Sequence, residues 1–311
     1  MTFLAFALVA VGAVFLALYG VMCRREQAGD WKNRTSALVA LSQGGAAVLF
    51  FGVSLATGGP RIEHGFLLPM LATGFLNIGI MYAKMRARAL EDVSLVAPID
   101  STTPAIVIVT SMIILGEYPT TLGWIGIWLM VVGTYVLNIQ DVRQKLVEKM
   151  TGDVSGWKRQ ARIWFAPFLA LGRSKGVRWA FFAAMTATVS LNYDGLVARR
   201  ADIGFGFGCV MSIAAAGNLI VAMARREFNG AKIGAILKKT AILSLSFGTA
   251  IYISSIAYRL TIVPYVGTMK RLQIPITIIL AYFILGERKS FRERLAGGVI
   301  MTGGAVLIVL G

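Results

Sequence analysis

The chain has little of what disulfide-built proteins and soluble enzymes depend on. Its 311 residues include two cysteines, Cys23 and Cys209, and one histidine, His64. Two isolated cysteines suit neither a disulfide framework nor a metal cluster. A lone histidine argues against a zinc or histidine-based catalytic centre. No Ser/His/Asp set appears, and no Gly-x-x-x-x-Gly-Lys-Ser/Thr loop is present to cradle a nucleotide phosphate. No catalytic residue, metal ligand or cofactor is therefore assigned. Charge is scarce as well: 15% of residues are charged and 57% are hydrophobic, with mean hydropathy +0.71. A soluble domain carries about 25% charged and about 45–50% apolar residues.

The apolar residues gather into ten runs: about 2–22, 37–57, 66–84, 92–115, 120–139, 178–198, 203–223, 239–258, 263–286 and 293–311. Runs of about 20 residues cross a bilayer core of roughly 30 Å as helices. The expected fold is all-α and integral to the membrane. The first run has no basic flank before it and ends at Arg24-Arg25, so it reads as a span and not a signal peptide.

The net charge of +16 follows topology. Loops after the first, third, fifth, seventh and ninth runs hold 25 of the 31 Lys and Arg, and the alternate loops hold 4. Lys270 and Arg271, inside a run, complete the set. Cytoplasmic loops carry the basic excess, so both termini are expected outside a cell membrane. The basic loops also attract anionic lipid. Nucleic acid is not an expected partner.

The chain also repeats itself. Leu115-Gly116-Glu117 and Leu285-Gly286-Glu287 close two apolar runs 170 residues apart. At that offset Tyr82 falls on Tyr252, Leu90 on Leu260, Val96 on Val266 and Gly133 on Gly303. Asp100 falls on Lys270, placing an acid and a base at matched intramembrane positions. Two halves are expected, 1–139 and 178–311, joined by a basic cytoplasmic linker, 140–177. Five helices per half would invert one half against the other, as in transporters that hold substrate near the midplane. The linker opens with a helix-compatible stretch, 141–150, broken by 151–156. Then Trp157, Trp164, Phe165 and Phe168 alternate with Lys158, Arg159 and Arg162. That pattern suits a segment lying on the inner surface, with a plain solvated linker as the alternative.

These residues resemble the drug/metabolite transporter superfamily in its ten-helix form of two EamA-type halves. The resemblance rests on Tyr82 through Ala89-Leu90, on Val93-Ser94-Leu95 with Pro104, on Leu-Gly-Glu, and on the Gly-rich segments 123–133 and 297–304. It implies alternating-access transport of a small metabolite without ATP hydrolysis, with a proton or counter-substrate as coupling partner. Lys270-Arg271 is similar to the pair with which the triose-phosphate and nucleotide-sugar branch holds phosphate. Sugar-phosphate members of that branch place a lysine where this chain has Asp100. The departure favours a zwitterion, a cation or an acid-coupled exchange over a bare phosphate.

Charged and amide groups inside apolar runs are the candidate site. A bare carboxylate at mid-helix costs at least about 2.5 kcal/mol on insertion scales, so Asp100 needs protein or water around it. It binds the substrate's positive group or carries the coupling proton, or else it is a permanent partner of Lys270. Lys270 and Arg271 point about 100° apart on a helix. One or both bind an anionic group, and the alternative for Arg271 is snorkelling to the interface. Asn77, Gln273, Tyr82 and Tyr252 are the further substrate-binding candidates. Asp194, Tyr19 and Tyr193 are candidates for coupling or gating, and Pro104 and Pro275 for hinges. Interhelical hydrogen bonds, interface anchoring and plain packing are the structural alternatives for these side chains. The expected function is secondary transport of a small polar metabolite with an anionic group. A lipid-linked carrier or flippase, or an exporter of amino acids or cationic drugs, are the alternatives.

Overall fold

The computed structural model describes residues 2–29, 31–32, 34–91, 93–149, 157–229, 233–284 and 291–311. The second Leu-Gly-Glu, residues 285–287, and the expected helix break at 151–156 lie outside these. The chain forms α1 (Thr2–Ala28), α2 (Thr35–Ala56), α3 (Leu67–Leu90), α4 (Val93–Asp100), α5 (Thr103–Leu115), α6 (Thr121–Lys149) and α7 (Trp157–Leu171). It continues with α8 (Lys175–Arg200), α9 (Ile203–Ala224), α10 (Ile233–Ala257), α11 (Val263–Met269), a 3-10 turn (Lys270–Leu272), α12 (Gln273–Ile284) and α13 (Phe291–Leu310).

Seven stretches among the described residues are helical, long and apolar enough to cross a bilayer. They are Phe3–Ala28, Thr35–Ala56, Leu67–Leu90, Leu95–Leu115, Thr121–Gln140, Ile203–Ala224 and Lys239–Ala257, and each coincides with one expected run. Of the remaining three expected runs, two depart for physical reasons. α8 is long enough, but Asn192, Asp194 and basic residues at both ends lower its apolarity. The ninth run is interrupted by the 3-10 turn. The tenth forms α13, Phe291–Leu310, whose apolar part is Ala296–Leu310. The fourth run is interrupted too, between α4 and α5. The stretch 141–149 is no separate element, because it continues α6.

Packing divides the chain into two compact units. The first is Met1–Ile78 with Ser190–Glu287, and the second is Gly79–Val189 with Arg288–Gly311. Each draws on both halves of the sequence. In the first unit α1 packs on α10 and α12, and α2 packs on α9 and α10. The packing face of α1 is legible in its residues: Ala5, Val9, Ala13, Ala17 and Val21 recur every fourth position and all are buried. Small residues on one face let helices approach closely, while Phe3, Leu4, Val11 and Val14 stay exposed, as lipid contact requires.

Acidic side chains close helix starts in this unit. Asp202 accepts from the Gly204 and Phe205 N–H groups that open α9, and from the Ser54 hydroxyl at 2.8 Å. Glu227, buried, accepts from the Ala37 N–H at 2.8 Å in the first turn of α2. Both satisfy donors that a helix start leaves without a partner and favour its positive end.

In the second unit α6 packs along α13. The contact needs glycine. A Cβ on Gly133 would stand 2.8 Å from the Gly297 carbonyl oxygen, and one on Gly126 would stand 2.6 Å from that of Gly304. Gly303, which the 170-residue offset pairs with Gly133, faces open space. α7 is amphipathic and lies on α4 and α6, with Tyr135 of α6 stacked on Phe168 at 5.7 Å and bonded through its hydroxyl to the Trp164 carbonyl.

Candidate functional site

Both interrupted helices break beside a proline, and in both cases the reason is local. In an α-helix the N–H of residue i bonds the carbonyl of residue i−4. Pro104 has no N–H to give the Asp100 carbonyl, and Pro275 has none for that of Arg271. The first break is closed by hydroxyls: Thr103 donates to the Asp100 carbonyl and Thr102 to that of Ile99, each at 2.7 Å. Asn138 of α6 adds bonds to the Ser101 hydroxyl at 2.8 Å and the Ala97 carbonyl at 3.3 Å. The second break passes through the 3-10 turn, and Thr277 donates to the Gln273 carbonyl at 2.6 Å just beyond it.

Lys270 starts that turn. Its ammonium donates to the Tyr258 hydroxyl at 3.1 Å and stands 4.8 Å from the centre of the same ring. A cation over an aromatic face gains about 0.5–2 kcal/mol, more as water is excluded. Tyr258 is completely buried. Lys270 also attracts Asp194 electrostatically, and Asp194 in turn acts on Tyr258. The Thr73 hydroxyl lies 2.6 Å from the Asp194 carboxylate and 2.8 Å from the Ser190 hydroxyl. Asn77 donates to the Thr73 carbonyl at 2.9 Å. Ser190 and Asp194 on α8, like Thr73 and Asn77 on α3, are four residues apart and share one face. The result is a polar network at the heart of an apolar unit, with one acid and one base. Nearby in the chain, the fully buried Thr268 hydroxyl has no hydrogen-bond partner among the described residues.

This network joins three of the expected residues, Lys270, Asp194 and Asn77. Asp100 ends α4 half-buried in the other unit. Arg271 and Gln273 are half-buried on either side of Leu272, and Tyr193 is half-buried beside Asp194. Tyr252 packs against Phe50 at 5.9 Å. Tyr82 is 42% exposed and packs edge-on against Trp179 at 5.8 Å. Tyr19 stacks near Phe247 at 5.0 Å and packs against a cluster of Trp31, Leu38 and Leu243. Pro104 and Pro275 sit in the first turns of α5 and α12, where proline is tolerated. Tyr258, Thr73, Ser190 and Thr268 are additions. The four-residue spacing of Thr73 with Asn77, and of Ser190 with Asp194, was a readable signal. Tyr258 offered none, because a tyrosine at a span end usually reads as an interface anchor.

Among the described residues no group of three or more His, Cys, Asp or Glu is placed to hold a metal. The geometry suits binding and proton or charge exchange within a buried polar network.

Residues 3–139 match the EamA-like transporter family. No curated protein sequence matches the chain. Chains of solved structures do, 27 in number. One, a protein crystal structure, aligns with a TM-score of 0.70 at 17% identity, covering 99% of this chain and 96% of its own. That likeness concerns the fold. The family match supports a multi-pass membrane transporter of the drug/metabolite class.

Proposed function

We propose that the whole chain is a secondary transporter that moves a small polar metabolite bearing an anionic group by alternating access. The observation that carries this reading is the Lys270–Tyr258–Asp194–Thr73 network beside an interrupted helix. Interrupted membrane helices with charged groups are where transporters bind substrate and coupling ions. Lys270, with Arg271, takes the anionic group. Asp194 balances Lys270 while the site is empty and is the proton or charge carrier when it fills. Asp100, at the first break, is a separate candidate for substrate binding or coupling.

The reading extends to ten spans in two inverted halves. The two breaks fall at residues separated by the 170-residue offset, Asp100 and Lys270. The family match covers the first half, and the offset carries it to the second. The packing of α2 on α9, and of α6 on α13, pairs elements equivalent in the two halves, which supports a two-fold relation. The loop charges favour a cell membrane with both termini outside and 140–177 in the cytoplasm.

Uptake of charged and zwitterionic metabolites into proteoliposomes, with and without a pH gradient, tests the function. Saturable accumulation that vanishes in Lys270→Ala is expected. Equal uptake by wild type and Lys270→Ala, with folding intact in both, would sink the site assignment. An extracellular reporter fused after Gly311 should be active, and a silent one would reverse the orientation.

A further inference from the structure

A cavity lies away from the Lys270 network. It has a volume of about 600 Å3 and opens where α2, α8 and α10 end. Small-molecule sites span roughly 300–1,000 Å3. Its walls carry Arg61, Arg199, Arg259, Glu63, Asp202 and Thr57, all in the first unit. None of Lys270, Asp194, Thr73 or Tyr258 lines it.

Two of the arginines are crossed over. Arg199, near the end of α8, donates from Nε to the Tyr258 carbonyl at 2.9 Å and from Nη2 to that of Thr261 at 3.3 Å. Arg259, just past α10, donates from Nε to the Ala198 carbonyl at 2.5 Å and from Nη2 to that of Ala201. Each guanidinium caps the partner helix, where carbonyls without intrahelical donors carry partial negative charge. Neutral carbonyls fix a guanidinium without cancelling its charge. The side chains of Arg61 and Glu63 make no hydrogen bond or ion pair with any described residue. Asp202 is already engaged by Ser54 and the start of α9.

The charge distribution adds an independent observation. Only four basic residues lie in the alternate loops, Arg61, Arg199, Arg200 and Arg259. Three line this cavity, and the fourth donates to the Gly65 carbonyl at 2.9 Å. A side of the chain nearly free of Lys and Arg thus concentrates what it has at one concave site.

We propose that this cavity is a docking site for a small anion, a carboxylate or a phosphate, bound by Arg61 and Arg259. Glu63 favours anions that also carry a positive group. Guanidinium groups bind both oxyanions in a bidentate way. Tyr258 joins the docking site to the inner network: its carbonyl holds Arg199 and its hydroxyl accepts from Lys270. Given the transport reading, the cavity is the station a solute occupies on its way to Lys270. The same chemistry could come from a phospholipid headgroup, so the test separates the two sources.

The full-length protein is placed in nanodiscs of phosphatidylcholine and titrated with succinate or inorganic phosphate while its melting temperature is followed. A second arm uses phosphatidylglycerol discs with no added anion. A saturable rise in Tm in the neutral discs is expected. Arg61→Ala should raise the apparent Kd about tenfold, because a charge-assisted bond is lost. Its ligand-free Tm should stay unchanged. Glu63→Gln should lower the Kd roughly threefold, as expected for removing an exposed like charge. An Arg61-dependent rise seen only with phosphatidylglycerol supports the site and assigns the anion to lipid. Responses that are absent, or equal in wild type and Arg61→Ala in both arms, overturn the proposal. Lys270→Ala should keep this binding while losing uptake, so failure here and failure of the transport reading are told apart.

Discussion

Between α4 and α5 the chain seals its interruption with hydroxyls, and between α11 and α12 it leaves a lysine at the turn. At the first break Thr102, Thr103 and Asn138 donate to carbonyls, and Asn138 also donates to the Ser101 hydroxyl. At the second break the 3-10 turn carries Lys270 against Tyr258, and Thr268 keeps an unpartnered buried hydroxyl. Buried polar groups in native structures are almost always paired, so an exception marks a place to look for function. On the proposed reading the first break serves stability and the second serves chemistry. Similar prolines break both helices, so the difference lies in the side chains that follow the break.

The largest expected effect tests whether chemistry sits at the second break. Lys270→Ala should remove uptake almost completely, below about 1% of wild type, since a single ion contact in a dry site is worth several kcal/mol. Asp194→Asn should do the same, and either single change should lower Tm by leaving one charge without its counterpart. The double change should recover Tm and leave uptake absent. Asp100→Asn, at the sealed break, sharpens the comparison. Loss of uptake with unchanged Tm assigns it to substrate or coupling, and full activity removes it from the site.

Tyr258→Phe is next in size. It deletes the hydroxyl that receives Lys270 and keeps the ring beneath the ammonium. A loss of transport of about tenfold is expected, in line with one hydrogen bond to a charged group. The Arg199 contact uses the Tyr258 carbonyl and should survive. An unchanged rate would mean that the ring alone positions Lys270.

Much of the frame was legible in the residues. Six runs became continuous helices long and apolar enough to span, a seventh did so with the break between α4 and α5, and the fourth-residue rhythm of α1 named its packing face. Gly133 and Gly297 marked the α6–α13 contact as glycines in apolar helices do. Other features were not legible. Pro104 and Pro275 were candidates for hinges or for freeing carbonyls, but the residues did not give the place where the helix stops beside each of them. The offset that pairs Asp100 with Lys270 reports equivalent positions and says nothing about contact. Within the first unit the acid that acts on Lys270 is Asp194, brought there by the packing of helices far apart in sequence.

A smaller effect belongs to the sealed break. Asn138→Ala should cost about 0.6–1.7 kcal/mol of stability, the range of interhelical hydrogen bonds in membrane proteins. KM for the transported solute should not change. A rise in KM without loss of Tm would place Asn138 in the binding site and weaken the contrast between the breaks.

The smallest effect concerns Thr268. Valine keeps the branched shape and removes the hydroxyl. Where a buried hydroxyl is bonded, deleting it typically costs about 1 kcal/mol; where it is unpaired, replacement by an apolar group is near neutral or stabilising. Thr268 is fully buried and its hydroxyl has no partner among the described residues, so Thr268→Val should leave Tm unchanged or raise it by a degree or two. If the hydroxyl meets substrate two residues from Lys270, the same variant should weaken solute binding roughly threefold to tenfold. Stability and affinity then move in opposite directions, which a packing residue does not produce. A fall in Tm with unchanged affinity would show that Thr268 is bonded in the native state and that the second break is sealed like the first.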